Sequence, residues 1–119
     1  MEALITSNVT KRYTNQLALD QVSISIPQKT IYGLLGPNGA GKTTTVEICE
    51  GLRPPDAGMV RVLGRSPRDH QLKPRVGVML QEGGIYGTVT PNEALQHAAA
   101  LYRNPHRPSD LIDAMGLED

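Results

Sequence analysis

A glycine-rich segment between an apolar run and a helix-forming run constrains this chain more than any other feature. It fits the pattern G-x-x-x-x-G-K-[ST], whose glycines let the backbone curl so that successive N–H groups point inward. Residues 31–35 predict a buried strand before the loop, and residues 43–50 predict a helix after it. The segment is therefore predicted to bind phosphate groups at the start of a helix. The predicted contacts are Gly36, Pro37, Asn38, Gly39, Ala40, Gly41, Lys42, Thr43 and Thr44.

Three side chains carry the predicted chemistry of this site. Lys42 can reach the outer phosphates as a point charge, and the Thr43 hydroxyl can hold Mg²⁺. Gln81 follows a second apolar run, residues 76–80, which predicts another buried strand. Because ligands gather at the carboxyl ends of parallel strands, the Gln81 amide oxygen is a candidate to bind Mg²⁺ or to orient a water. The alternative is a polar residue that only closes the strand.

The remainder of the chain predicts strands first and short helices later. Residues 4–9 and 22–26 carry apolar residues in alternation and predict antiparallel strands, joined by a turn at residues 14–16. Thr90, Pro91 and Glu93 form the sequence signature of a capping box with proline in the first helical turn. The other predicted elements are a strand at residues 59–63 and helices at residues 66–72, 90–102 and 110–115.

Composition narrows the function classes. The length of 119 residues fits one small domain, and the net charge of zero gives no reason to expect binding to nucleic acid or anionic membranes. No apolar stretch approaches the ~18 residues of a membrane span, and no signal peptide is predicted. The single cysteine, Cys49, suits a reducing compartment and is predicted to be a small apolar residue on a helix. The three histidines show no metal-site spacing.

Two other surface features have competing interpretations. Tyr13 follows the first predicted strand, where its ring can stack on a purine, but an exposed tyrosine near a turn is also common. A group of basic residues is interrupted by Asp69 and contains no aromatic residues, which favours a solvated face over a binding patch. The group consists of Arg61, Arg65, Arg68, Lys73 and Arg75.

Taken together, these motifs resemble the N-terminal half of the ATP-binding subunit of an ABC transporter, over nearly the whole chain. Residues 36–44 are similar to the Walker A segment of that family, proline, asparagine and alanine included. Residues 11–13 are similar to its aromatic A-loop, residues 51–58 to the segment after the Walker helix, and residues 76–82 to its Q-loop. The finer resemblance is to bacterial exporters of drugs and antibiotics. One departure, Lys29-Thr30 in place of a Gly-Glu pair, should only alter a turn.

This resemblance implies an α/β fold. The implied architecture is a P-loop NTPase core with an N-terminal antiparallel β-subdomain, truncated before the helical subdomain is complete. Residues 1–119 would form a partial nucleotide-binding domain. The family's signature Leu-Ser-Gly-Gly-Gln, its Walker B strand and its switch histidine are absent from the sequence, so we interpret the chain as a fragment.

The resemblance also implies ATP and Mg²⁺ as cofactors and ATP hydrolysis coupled to export. Tyr13 would stack on adenine, while Lys42 and Gln81 would act in catalysis and Thr43 and Gln81 would hold the metal. The implied partners are a membrane permease subunit and a second nucleotide-binding domain, with no nucleic acid. The implied location is the cytoplasmic face of the membrane. The 119-residue chain alone is predicted to be inactive.

Alternatives are a non-hydrolysing nucleotide-binding fragment and an ABC-type ATPase outside transport. A GTPase is disfavoured because Gln81-Glu82-Gly83 stands where D-x-x-G is expected. A DNA-repair ATPase is disfavoured because the short separation between Thr44 and Gln81 leaves no room for long helical arms, and because the net charge is zero.

Overall fold

The computed structural model describes residues 1–79 and 87–117, which belong to two compact units, Met1–Val78 and Met79–Asp119. The first unit contains a three-stranded antiparallel sheet in the order β2-β1-β3. The strands are β1 (Glu2–Tyr13), β2 (Gln16–Pro27) and β3 (Ala57–Val62). The predicted hairpin is confirmed, because Tyr13 pairs with Gln16 across a two-residue turn. Both of its strands are longer than the alternating apolar residues alone predicted.

Hydroxyl side chains extend the hairpin through its irregular positions. The register shifts between Thr6 and Val9, where Asn8 adopts φ of 48°. The buried Thr6 hydroxyl accepts a hydrogen bond from Ile24 N–H at 2.8 Å and donates one to Val22 O at 3.2 Å. Backbone groups that a bulge would leave without a strand partner are thereby satisfied by a side chain.

One helix packs on this sheet. Helix α1 (Lys42–Cys49) begins at the end of the phosphate loop, close to the predicted position. Its Ile48 is 2% exposed and packs with Val9, Leu19 and Val60, one residue from each strand. Burying a side chain of this size stabilises the fold by about 1.5–3 kcal/mol. This small core fixes the helix, and therefore the loop that precedes it, against the sheet.

Two predicted strands are wrong in the part of the chain that the structure describes. Residues 31–35 form no strand, and Ile31 and Leu35 are almost fully exposed. Residues 76–79 also form no strand, with Val78 and Met79 exposed, and residue 80 lies outside the described ranges. A buried strand needs neighbouring strands for its N–H and C=O groups, and no described strand pairs with either segment.

The helix predicted at residues 66–72 is also wrong. The segment forms turns, followed by a short 3-10 helix at Lys73–Arg75. Ser66 Oγ accepts from Arg68 N–H at 3.3 Å, and Asp69 Oδ1 accepts from Gln71 N–H at 2.9 Å. Such short-range side-chain bonds compete with helical backbone bonds, so a good capping residue here produces a turn instead of a helix.

The second unit contains α2 (Pro91–Ala99) and α3 (Pro108–Met115), which pack against each other. The predicted capping box is confirmed: Glu93 N–H donates to Thr90 Oγ1, and Thr90 N–H donates to the Glu93 carboxylate, both at 3.2 Å. Helix α2 ends three residues earlier than predicted and α3 begins two residues earlier. Gly116, at φ 67°, ends α3. Within residues 1–79 and 87–117, no helix has the length and apolarity that a membrane crossing requires.

Candidate functional site

The glycine-rich loop turns sharply into α1. Gly39 and Gly41 have φ of 87° and 90°, in the left-handed region that favours glycine. Ala40 N–H donates to Pro37 O at 3.2 Å, which closes a turn inside the loop. No side chain caps the N-terminus of α1. The N–H groups of the first helical turn are therefore available to an anionic ligand.

Gly41 brings this loop into direct contact with the hairpin. A Cβ at this position would lie 2.7 Å from Ala18 O and 2.8 Å from Leu19 Cδ2, both in β2. Only a residue without a side chain permits this approach. The phosphate loop therefore lies against the strand that continues from the Tyr13 turn.

Lys42 folds back over the loop. Its ammonium group donates to Gly36 O and, at 3.2 Å, to Pro37 O. An ammonium group carries three N–H donors, so these two bonds leave one for another acceptor. The lysine thus stabilises the curled backbone and brings a positive charge to its concave side.

A cleft of about 340 Å³ joins the loop to the hairpin. Seven of the residues predicted from the sequence line it: Tyr13, Asn38, Gly39, Gly41, Lys42, Thr43 and Thr44. Gln16 and Ala18 of β2 complete the wall. Gly36, Pro37 and Ala40 belong to the loop but do not line the cleft, and Gln81 lies outside the described residues. None of the described lining residues is Asp or Glu.

Two cations lie beside the Tyr13 ring. The Arg53 guanidinium carbon is 5.6 Å from the ring centroid, and Lys11 Nζ is 5.8 Å from it. These are distances at which a cation is attracted to an aromatic ring. Arg53 forms a hydrogen-bonded ion pair with Glu47 of α1, and the hydrogen bond raises the pKa of Arg53. The tyrosine at the end of β1 is therefore connected to the helix that follows the phosphate loop.

Asp56 holds the end of β1 in place. Its carboxylate accepts from the Arg12 N–H at 2.7 Å and pairs with Lys11 Nζ at 3.3 Å. The backbone hydrogen bond from Arg12, followed by the bond from Lys11, lowers the pKa of Asp56. Sequence reasoning missed the roles of Arg53 and Asp56, because both act across 40 or more positions of the chain. The only signal was their place in residues 51–58, the segment that resembles the family.

The other candidates behave as ordinary structural residues. Arg65 pairs with Asp69 at 3.1 Å and Arg61 donates to its neighbour's carbonyl, in agreement with a solvated basic face. Burial raises the pKa of Cys49 to about 11, so its thiol stays protonated at neutral pH. In residues 1–79 and 87–117, no group of three or more His, Cys, Asp or Glu residues could hold a metal ion.

Comparison with known proteins places the chain in a family. A model of the ABC transporter family matches residues 19–119. The bacitracin transport ATP-binding protein of Enterococcus faecalis is 38% identical over 104 residues, which cover 85% of this chain and 34% of that protein. The daunorubicin/doxorubicin resistance ATP-binding protein of Streptomyces peucetius is 34% identical over 124 residues, which cover 98% of this chain and 38% of that protein. The chain thus spans little more than a third of the length of these relatives.

Solved structures agree with this placement. The structure of an ATP-binding subunit of an ABC transporter matches this chain with a TM-score of 0.72 and 27% identity. The match covers 84% of this chain and 42% of that subunit's chain. An ABC transporter ATP-binding protein from Pyrococcus furiosus shares the fold, with a TM-score of 0.79 and 20% identity. This match covers 95% of this chain and 55% of that protein's chain. The predicted fold class is confirmed by these likenesses. By the extent of the family match and the shared fold, the chain belongs to the ABC transporter family, among its ATP-binding subunits.

Proposed function

We propose that this chain binds ATP with Mg²⁺ and forms the N-terminal part of an ATPase subunit that powers export of a drug-like or antibiotic-like compound. One observation carries the binding proposal: a single cleft is lined by residues of the glycine-rich loop and by Tyr13. A nucleotide presents a polyanion at one end and a flat aromatic base at the other. The cleft supplies a complement to each.

The phosphate end would be bound by the loop and the start of α1. The Lys42 ammonium and the uncapped N–H groups of the first turn offer positive charge and donors together. The Gly36, Pro37 and Ala40 backbone would shape the loop. Thr43 lines the cleft and carries a hydroxyl oxygen, a type of ligand that Mg²⁺ accepts when phosphates supply most of its other ligands. An ion bound there would neutralise phosphate charge. Gln81 is proposed as the second protein ligand of this ion and also as a catalytic residue.

The transport proposal is supported by the relatives. One is named for bacitracin transport and another for daunorubicin/doxorubicin resistance. We infer that the chain acts with a membrane permease subunit and with a second nucleotide-binding domain, on the cytoplasmic face of the membrane and without nucleic acid. Residues 1–119 are proposed to be a partial nucleotide-binding domain containing the A-loop, Walker A and Q-loop.

The 119-residue chain alone is expected not to hydrolyse ATP. The described lining of the cleft offers backbone donors, a lysine and two threonine hydroxyls, but no carboxylate to orient or activate a water. Purified chain should therefore release phosphate from ATP no faster than its Lys42→Ala variant, measured by a phosphate-release assay. Release well above that control, at the rate of a complete transport ATPase, would show that the chain contains the whole catalytic apparatus.

Tyr13→Ala should weaken ATP binding while sparing the phosphate contacts. Stacking of a base on an aromatic side chain contributes ~1–3 kcal/mol, so we expect the ATP dissociation constant to rise by roughly 5- to 150-fold. Inorganic tripolyphosphate, which has no base, should bind the variant and the parent chain equally. Tyr13→Trp should retain ATP binding. Calorimetric titration of the three chains with ATP tests this prediction. Equal ATP affinities for all three would show that Tyr13 is an ordinary surface residue with no role in base stacking.

A further inference from the structure

The geometry points to Arg53 as a positioning residue for the nucleotide site: its guanidinium group, fixed to α1 by Glu47, holds the Tyr13 ring at the wall of the cleft. The inference rests on the proposed function, since it assigns a role in base stacking to a residue outside the motifs. Arg53 is therefore expected to influence ATP affinity without touching ATP.

The contacts of Arg53 are with the Tyr13 ring and with Glu47 of α1. Its guanidinium carbon lies 5.6 Å from the Tyr13 centroid, and its Nε donates to the Glu47 carboxylate. Arg53 is not among the residues that line the cleft, whereas Tyr13 is. The contact with the Tyr13 ring is therefore the route by which Arg53 is proposed to affect a bound nucleotide.

Both cations beside the ring are themselves held by carboxylates. Glu47 of α1 fixes Arg53, and Asp56 fixes Lys11 at 3.3 Å. Tyr13 is partly exposed at the end of a strand, where its side chain would otherwise sample several rotamers. A guanidinium group attracts an aromatic ring electrostatically and also stacks on it through its planar surface. A ring that is already ordered loses less entropy when a base stacks on it.

The size of the effect follows from the strength of the contact. Cation–π attraction at an exposed site corresponds to about a two- to fivefold change in an equilibrium constant. We expect Arg53→Ala to weaken ATP binding by that factor. Tripolyphosphate should bind the variant as it binds the parent chain, because the phosphate loop is untouched.

A mutant cycle with Tyr13 tests the assignment. ATP and tripolyphosphate are titrated against the 119-residue chain carrying Arg53→Ala, Tyr13→Ala or both changes. Arg68→Ala serves as a charge-matched control, because Arg68 is exposed and lies outside the cleft. The Arg53 effect on ATP should vanish in the Tyr13→Ala background, and the control should leave both affinities unchanged. Glu47→Gln keeps the shape of its side chain but replaces the carboxylate with a neutral amide that holds Arg53 less strongly, so it should weaken ATP binding in the same direction. This variant tests the assignment if Arg53→Ala fails to fold.

A spectroscopic readout reports the ring itself. The chain contains no tryptophan, so Tyr13→Trp introduces a single tryptophan at the site, which can be excited selectively over the remaining tyrosines. Adding Arg53→Ala should lower the fluorescence anisotropy of that tryptophan, and adding Arg68→Ala should not. Unchanged anisotropy would overturn the positioning role.

The outcomes separate this inference from the proposed function. If Tyr13→Ala weakens ATP but Arg53→Ala acts equally in both backgrounds, Arg53 does not work through the ring and the inference is overturned alone. A matching loss of tripolyphosphate binding would instead assign Arg53 to the phosphates, which also overturns it. If Tyr13→Ala leaves ATP affinity unchanged, base stacking at this cleft and the inference fall together.

Discussion

Replacing Lys42 with alanine is expected to cause the largest loss of nucleotide binding. The side chain supplies the positive charge on the concave side of the loop, and it also donates to the carbonyls of Gly36 and Pro37. Charge-assisted hydrogen bonds contribute ~1.5–3 kcal/mol, so the ATP dissociation constant should rise by roughly 10- to 150-fold. Loss of the two backbone bonds should loosen the loop and add to this effect. Calorimetric titration with ATP measures the change.

Tripolyphosphate distinguishes this variant from the tyrosine variant. Lys42→Ala should weaken ATP and tripolyphosphate alike, because both present the same phosphate oxygens to the loop. Lys73→Ala removes the same charge from an exposed residue of the 3-10 helix and should change neither affinity. Unaltered binding of both ligands to Lys42→Ala would remove the phosphate-site assignment altogether.

The sequence predicted those features that depend on local chemistry. The loop, its helix and the capping box of Thr90 and Glu93 each depend on residues a few positions apart. The hairpin was predicted because alternating apolar residues flank a polar turn, although its full length was missed. The Thr10 hydroxyl accepts a hydrogen bond from Gln21 N–H at 3.2 Å, just beyond the predicted ends of both strands, and propensity alone does not reveal such a bond.

The segments predicted wrongly are those that depend on distant partners. Residues 31–35 and 76–79 have the composition of buried strands, yet composition does not supply the neighbours that a strand requires. The same reasoning explains what was missed around the site. Arg53 and Asp56 lie in a turn-forming segment, and only the fold brings them to Tyr13 and to the end of β1. Gln81, outside the described residues, stays a prediction.

Gly41→Ala is expected to cause a large loss of stability. Two effects add at this position. A left-handed backbone at φ of 90° costs an alanine about 1–2 kcal/mol, and the new methyl group would overlap Ala18 O at 2.7 Å. Overpacking of this kind typically costs about 1–3 kcal/mol, so the free energy of unfolding should fall by ~2–5 kcal/mol. The obstacle on β2 is mainly backbone, which cannot move aside as a flexible side chain would.

Gly39→Ala provides a matched control in the same loop. Its φ of 87° is nearly identical, but a Cβ there would meet no atom within 4 Å. Both variants therefore carry the same backbone strain from the positive φ. In both, alanine also lowers the conformational entropy of the unfolded chain by the same amount. The difference between them isolates the contact of the loop with β2, which holds the phosphate loop beside Tyr13. Urea unfolding of the parent chain and both variants measures that difference, and equal destabilisation by the two substitutions would show that the loop does not depend on this contact.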